Sequence, residues 1–555
     1  MEPSPLRPHD NNADIMFDHG HSLEIITTLQ TRLDDCLLGN ETGKQFIPDG
    51  TLERILDENT VGRVLSELSI LRDKLPDGPK NYARKICGQN PPFRKILALL
   101  LLTDIPEAIV PFVDLGIDDL ALPMPDPRIL LSYELSGSCD DEDAAVWNEW
   151  NSLADSQLKR SDLRNIYVRQ WCLLSPRFIR RDSIPHYIFT HDYILPFLQN
   201  GFDSPGGAKL SYPLDESVRN GSFSQVRRVK IHPNHYDFGD YGISNPDHQF
   251  AVKKLWTPDY EDFAQEIEGF KRHWRSHINI VPLLATYEIR ETVADEPLRS
   301  YCMIFPWATG DLRSFWEMNE ELVGDIKVLP WFARECYEIA RALSCIHGDT
   351  RHPTDNTDSF GRHGDIKPSN ILWYPNACAK STSDLGKLVL SDFGLADFHR
   401  ATSTTSSRTS SLPRSMTYRA PEFDTTKVIS QAIDIWSLGC TFLEFITWFL
   451  KGSTAARVEF PEHRMEIDIY GINADTFFTF QHHQGQINVL LKHQVVTWIE
   501  GLRNDKSCNG YPRDFLDMIQ YDMLVVNCSD RRTAAEIFRK LGVLRLQCVG
   551  DVDSY

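Results

Sequence analysis

The sequence predicts two unlike domains: a mainly α-helical one reaching to about residue 202, then an α+β domain in which strands come first and helices follow. Three observations carry this. Apolar residues recur at three- and four-residue spacing through the first part. A Pro-Gly break at 203–207 is followed by runs of β-strand composition, and long helical patterns return only past residue 330. With 555 residues the chain is too long for one ordinary domain, and its 41% hydrophobic and 25% charged residues exclude wholesale disorder. A formal charge of −20 opposes non-specific attraction to polyanions, so neither nucleic acid nor membrane is expected as a partner.

The chain opens with a polar, proline-bearing tail over 1–22. A helix begins at Ser22, where Leu23, Ile26, Leu29, Leu33 and Leu37 form the stripe of a core-facing amphipathic helix over a domain spanning 23–202. Further helical patterns cover Leu52 to Leu75 and Phe93 to Leu102, separated by the stop at Pro91-Pro92, and tryptophan-rich helical sequence continues towards residue 200. After a linker at 203–211, Val226 to Ile231 and Phe250 to Leu255 have strand composition and flank a long polar connection. Apolar runs at Tyr301 to Phe305 and Leu388 to Leu390 follow, then helical patterns at Trp331 to His347 and Ala432 to Leu450, with a tail from 543 to 555.

The longest purely apolar stretch, Ile96 to Leu102, falls short of the ~20 residues a spanning helix needs. The N-terminus has no signal-peptide apolar segment, so an intracellular protein, cytoplasmic or nuclear, is expected. The 12 cysteines contain no C-x-x-C pair, which speaks against a zinc ribbon or a redox pair and for reduced, mostly buried thiols.

Chemistry concentrates in the second domain. His363-Gly364-Asp365-Ile366-Lys367-Pro368-Ser369-Asn370 is followed by Asp392-Phe393-Gly394 and then by Ala420-Pro421-Glu422. Phosphoryl transfer needs neutralised phosphate oxygens and an in-line nucleophile, which calls for metal-binding oxygens and fixed cations. Asp365 suits the role of base towards a hydroxyl, Lys367 that of a phosphate cation, and Asn370 and Asp392 those of oxygen ligands for magnesium. His347-Gly348-Asp349 looks similar but has Arg351 and Thr354 where Lys367 and Asn370 stand, and reads as a helix end.

In this order and spacing the motifs resemble the catalytic loop, metal-binding triplet and activation-segment end of the eukaryotic serine/threonine protein kinases, over about residues 212–542. The resemblance implies a bilobal fold, a β-rich small lobe and a helical large lobe, using ATP and Mg2+ on a protein substrate. It makes Lys253 in Ala251-Val252-Lys253 the lysine that contacts the nucleotide phosphates; Lys254 would face the other way. Its partner is expected to be Glu266, with Glu261 and Glu268 as rivals. Of the family's three loop glycines only Gly221 remains; Arg219 and Ser224 occupy the others, and Val226 is implied to cover the adenine. Alignment on Gly310-Asp311-Leu312 implies Ile304 at the back of the adenine pocket, backbone groups of Phe305 and Trp307 on adenine, and Asp311 among the nucleotide contacts.

The hydroxyl-rich stretch Thr402 to Ser411 suggests phosphorylation, but Gly364 stands where the family often has the arginine that binds such a phosphate. Ser415 aligns with the hydroxyl residue of serine/threonine-specific members. Glu422 is expected to pair with Arg531, and Asp434 to brace the catalytic loop. Two other classes stay open: a pseudokinase scaffold, suggested by the depleted glycine loop, and a small-molecule phosphotransferase, suggested by His-Gly-Asp but opposed by Lys367, by the Asp392-Phe393-Gly394 run and by the Ala-Pro-Glu end. The N-terminal domain has two candidate roles, docking a partner protein or restraining the kinase.

Overall fold

The structure is a computed structural model and describes residues 19–552 apart from 69–70, 72–74, 76, 89–91, 128–157, 199–217, 221–223, 274–276, 294–295, 349–358, 377–384, 393–396, 401–415, 428, 468–470, 472 and 484–485. Two compact units emerge. One is Met1–Phe178, Thr190–Ala208 and Lys230–Asp237; the other is Ile179–Phe189, Lys209–Val229 and Phe238–Tyr555. Along the sequence the second unit therefore takes in a segment well before the linker expected at 203–211.

The first unit contains helices α1 (His19–Asp35), α2 (Thr51–Ile55), α3 (Glu58–Glu67), α4 (Gly78–Cys87), α5 (Arg94–Leu102), α6 (Ile109–Leu115) and α7 (Arg160–Arg169). The helical pattern over Leu52 to Leu75 is broken in two because Asp57 leaves helical geometry and caps α3, its side chain accepting from the Thr60 N–H. Leu29 and Leu33 on α1 and Val61, Val64 and Leu65 on α3 are buried with Ile96 to Leu101, so α5 is a core helix, apolar all round. The expectation of helix up to about residue 200 fails beyond α7. Phe178–Ile179, His186–Thr190 and Phe197–Leu198 are short strands. Pro176, Pro185 and Pro196 interrupt helix here, and HYIFT is the β-branched and aromatic sequence an edge strand takes.

The amides of Lys95 and Ile96 at the start of α5 both donate to the Asp119 carboxylate at 3.0 Å. Burial outweighs those bonds and pushes the Asp119 carboxyl up to about 6. A carboxyl raised on folding stabilises the fold below its ordinary pKa and loses that contribution as pH rises through the raised value. The first unit is thus expected to resist urea better at pH 4.5 than at pH 7.5, and Asp119→Asn should flatten this difference. Equal slopes in the two proteins would refute the assignment.

In the second unit an antiparallel sheet runs in the order β1 (His186–Thr190), β5 (Ala285–Val293), β6 (Glu296–Pro306), β4 (Gln249–Leu255), β3 (Ser224–Ile231), and β2 (Val218–Asn220) pairs with β3. Helix α8 (Tyr260–His273) connects β4 to β5. The helical half holds α9 (Leu312–Met318), α10 (Leu329–His347), strands β7 (Ile371–Tyr374) and β8 (Lys387–Leu390), α11 (Ala432–Lys451), α12 (His493–Arg503), α13 (Tyr511–Met518) and α14 (Ala534–Val552). The expected strands and long helices of this half all lie within these elements. Gly348 closes α10 at φ 81, the left-handed cap that only glycine takes freely, so His347-Gly348 is a helix end as read.

Helix α11 is long and apolar enough to cross a membrane by length and composition, yet its apolar window is 94% buried in the unit. It is the central core helix, with Trp436 and Trp448 fully buried. Residues 543–552 are not a tail. They continue α14, where Leu544 and Cys548 enter the core and Arg545 lies 4.7 Å from the Tyr337 ring of α10. The ten cysteines among the described residues are free thiols, buried or half-buried.

Candidate active site

Antiparallel pairing on both sides of β6 fixes what each face of the sheet carries. Lys253 of β4 stands opposite Met303, and residues directly opposite share a face. Its ammonium reaches Glu266 of α8 at 2.6 Å and Asp392 at 2.9 Å. Lys254, one residue on, is exposed on the other face. Burial opposes the charge on Lys253, but the carboxylates of Asp392 and Glu266 raise its pKa beyond the usual lysine value. The same ammonium holds the Asp392 carboxyl down at about 2, whereas burial pushes Glu266 up despite its bond to Lys253.

The loop from His363 to Asn370 is held from below by Asp434 of α11. That carboxylate accepts the backbone N–H groups of His363 and Gly364, each at 2.8 Å, and Nε2–H of His347 at 2.8 Å. Burial would raise its pKa, but these donors keep it low. The expected brace is present, and His347 is an addition the sequence reading did not include. His363 Nε2 donates to the Ser391 carbonyl at 3.0 Å while its Nδ1 accepts the Asp365 N–H at 3.3 Å, which joins the loop to the residue before Asp392.

Within the loop, Lys367 Nζ meets Asp365 Oδ2 at 2.6 Å, and Asn370 Nδ2 donates to the same oxygen at 3.0 Å. The Asn370 carbonyl oxygen of the main chain takes the Ser391 N–H at 2.9 Å. Asp365, Asn370 and Asp392 therefore belong to one connected cluster that also reaches Lys253 and Glu266. Asp392 adopts φ 65, a left-handed conformation costly for a non-glycine residue and tolerated best by Asn and Asp.

The adenine-side expectations need correction. Counting in twos from Met303 puts Phe305 and Ala251 on the face of Lys253, and Ile304 with Val252 on the opposite face. Phe305 packs 5.2 Å from Phe270, one turn beyond Glu266 on α8. Ile304 thus does not share the face of Lys253, as the residue expected behind the adenine should; Phe305 does. The Trp307 N–H is turned to the Gln249 carbonyl at 3.4 Å, its ring lies 5.3 Å from the Arg228 guanidinium, and the Pro306 carbonyl accepts from the Tyr374 hydroxyl at 3.1 Å. The Asp311 carboxylate caps α9, accepting from Ser314 N–H at 2.8 Å.

Val226 is half-buried on β3, where it stands opposite Arg219 of β2 in the antiparallel pair. Gly221, Phe393, Gly394, Ser415 and the stretch Thr402 to Ser411 lie outside the described residues. Glu422 is met by Arg531 at 2.8 and 3.2 Å, both buried.

Among the described residues no group of three or more His, Cys, Asp and Glu is clustered for a metal. An amide oxygen from Asn370 and a carboxylate from Asp392, whose neighbour Ser391 bonds the Asn370 main chain, are nevertheless the sparse, hard-oxygen set that Mg2+ accepts, because it keeps waters and phosphate oxygens as its other ligands. The residues present fit it.

A twisted sheet whose lysine bridges two carboxylates, above an Asp-Lys-Asn loop braced from the central helix, defines a kinase-type domain. The family model of the protein kinase domain matches residues 220–541, more than half of the chain, and the protein belongs to that family. It is 31% identical over 201 residues to a protein named probable inactive receptor kinase RLK902 of Arabidopsis thaliana, covering 36% of this chain and 26% of that one. It is 27% identical over 224 residues to the serine/threonine-protein kinase PITSLRE of Drosophila melanogaster, covering 38% and 20%, and 27% identical over 228 residues to human cyclin-dependent kinase 11B, covering 39% and 24%. The matched segments thus span about a fifth to a quarter of these relatives.

Proposed function

We propose that this protein is an active serine/threonine protein kinase that transfers the γ-phosphoryl group of Mg-ATP to a protein hydroxyl. The observation that carries the reading is the formed triad Glu266–Lys253–Asp392 beside Asp365, Lys367 and Asn370: every charge the reaction needs is in one cluster. Asp365 Oδ2 is occupied by Lys367 and Asn370, which leaves Oδ1 to accept the proton of a serine or threonine hydroxyl. The hydroxyl oxygen then bonds to the γ-phosphorus as the bond to the bridging oxygen breaks, and ADP leaves. Lys367 steadies the transferring group, and Lys253 the α- and β-phosphates. Asn370 and Asp392 would hold Mg2+, which neutralises phosphate charge when bound. With Phe305 behind the adenine, the adenine-facing backbone groups move one residue on, to Pro306 C=O and Ala308 N–H.

Incubation with γ-radiolabelled ATP, Mg2+ and casein is expected to yield labelled phosphoserine and phosphothreonine, lost on adding EDTA. No label above the Asp365→Ala background would refute turnover.

A second reading, a nucleotide-binding scaffold without turnover, is favoured by one observation: Arg219 and Ser224 replace two of the family's three loop glycines. It predicts a thermal shift with Mg-ATP and no labelled product. The fully assembled lysine and carboxylate set argues against it.

A further inference from the structure

A segment outside the family match, residues 184–189, is built into the sheet of the second unit: β1 lies at its edge beside β5. The Pro185 carbonyl accepts both the Thr286 N–H at 2.9 Å and the Thr286 hydroxyl at 3.1 Å. Because that hydroxyl proton is spent on Pro185, the Thr286 oxygen accepts from His186, whose Nδ1 lies 3.0 Å away. Phe189 is buried against the Tyr287 ring at 5.9 Å, and Ile184 packs on the main core. The strand is therefore fastened to β5 at Thr286 and Tyr287.

One side chain of this strand reaches the helix that carries Glu266. The His186 ring lies 5.5 Å from the ring of Phe263 on α8, which itself stacks on Tyr301 of β6 at 4.4 Å. Phe263 stands one turn before Glu266 on the same helix, so what holds Phe263 also sets the height and rotation of Glu266 over Lys253. The far end of α8 is held by Phe270 on Phe305. Without His186 the near end keeps Tyr301 and Tyr260 as neighbours but loses the contact on its outer side.

From these contacts we infer that residues 184–189 form a strap that positions α8, through His186 on Phe263, so that Glu266 engages Lys253 for phosphoryl transfer. His186 is a positioning residue: it touches neither nucleotide nor substrate. The inference rests on the kinase reading for its effect on rate, but its effect on α8 stands without it. An aromatic contact and one partly buried hydrogen bond together shift the population of the docked helix by about tenfold, and displacement of a catalytic ion pair carries straight into the rate of the chemical step.

The test uses the full chain with Ile184→Ala combined with His186→Ala, and separately His186→Phe, which keeps a ring on Phe263 and gives up the hydrogen bond. Amide hydrogen exchange over residues 260–273 is followed without nucleotide, and kcat and KM for ATP are measured with casein as acceptor. In the double variant α8 should exchange about tenfold faster and kcat fall about tenfold, with KM within about twofold, while His186→Phe recovers both to within about threefold. Unchanged exchange over α8, or faster exchange with kcat unaltered, overturns the strap. If the unmodified protein transfers no phosphate, the kinase reading fails and the exchange data alone decide the strap.

Discussion

Asp365→Ala is expected to lower the rate of phosphate transfer to casein by at least about a thousandfold, since a positioned base and the orientation it imposes contribute some 10²–10⁴ in rate. The size follows from geometry. Asp365 is the acceptor on which Lys367 and Asn370 converge, at 2.6 and 3.0 Å, so its loss removes the base and also releases the cation and the metal-side amide from their fixed places. Asp392→Ala should cost as much by another route. It strips Lys253 of one of its two carboxylates and removes a charged ligand for magnesium. The fold should survive both changes, because the Asp365 backbone is held through His363 and Asp434, and the Asp392 side chain is 45% exposed. Initial rates with thermal midpoints measured alongside decide it: if either variant retains rates within about twofold of the parent, the residue assignment is wrong.

The parts of the site that sequence could yield are those where spacing alone enforces proximity. Asp365, Lys367 and Asn370 sit on one short loop, and Ser391 pairs with Asn370 directly, so the distance from Asn370 to Asp392 along the chain is spanned by a single antiparallel hairpin, β7 to β8. Glu422 with Arg531 was legible only through the resemblance of Ala420-Pro421-Glu422 to the kinase activation-segment end, and the structure shows the pair buried. The pocket wall was not. Gly310-Asp311-Leu312 lies beyond a connector, and a connector absorbs an extra residue at little energetic cost, whereas a strand cannot slip by one without exchanging its faces. Only the ladder between β4 and β6 decides that Phe305 and not Ile304 shares the face of Lys253. The strands at 178–198 failed for a related reason. A five-residue strand owes its existence to the edge it pairs with, here β5, and that edge lies about a hundred residues away in sequence, as His186 and Thr286 show. Helix α14 runs into the segment expected as a tail, because Leu544 and Cys548 carry it back to the core although Val543 and Leu546 are exposed.

Arg531→Met is expected to destabilise the second unit by about 3–5 kcal/mol, the cost of leaving one member of a buried ion pair without its partner. The Arg531 side chain is wholly buried and Glu422 is 3% exposed, so neither charge can recruit water. The guanidinium also donates to the main-chain carbonyls of Ala432 and Val525 and lies 5.3 Å from the Trp436 ring, so methionine removes the donor to two carbonyls besides stranding one carboxylate. Because Ala432 opens α11, and Asp434 in its first turn braces the catalytic loop, damage at this point should reach the active site through the helix rather than through the substrate. Adding Glu422→Gln removes the stranded charge and should return about half of the lost stability, a coupling that independent sites would not show. Guanidinium unfolding of the parent, the two single variants and the double variant measures this cycle. Single variants whose losses simply add in the double would mean that the pair is not the interaction that ties the Ala-Pro-Glu segment to the core.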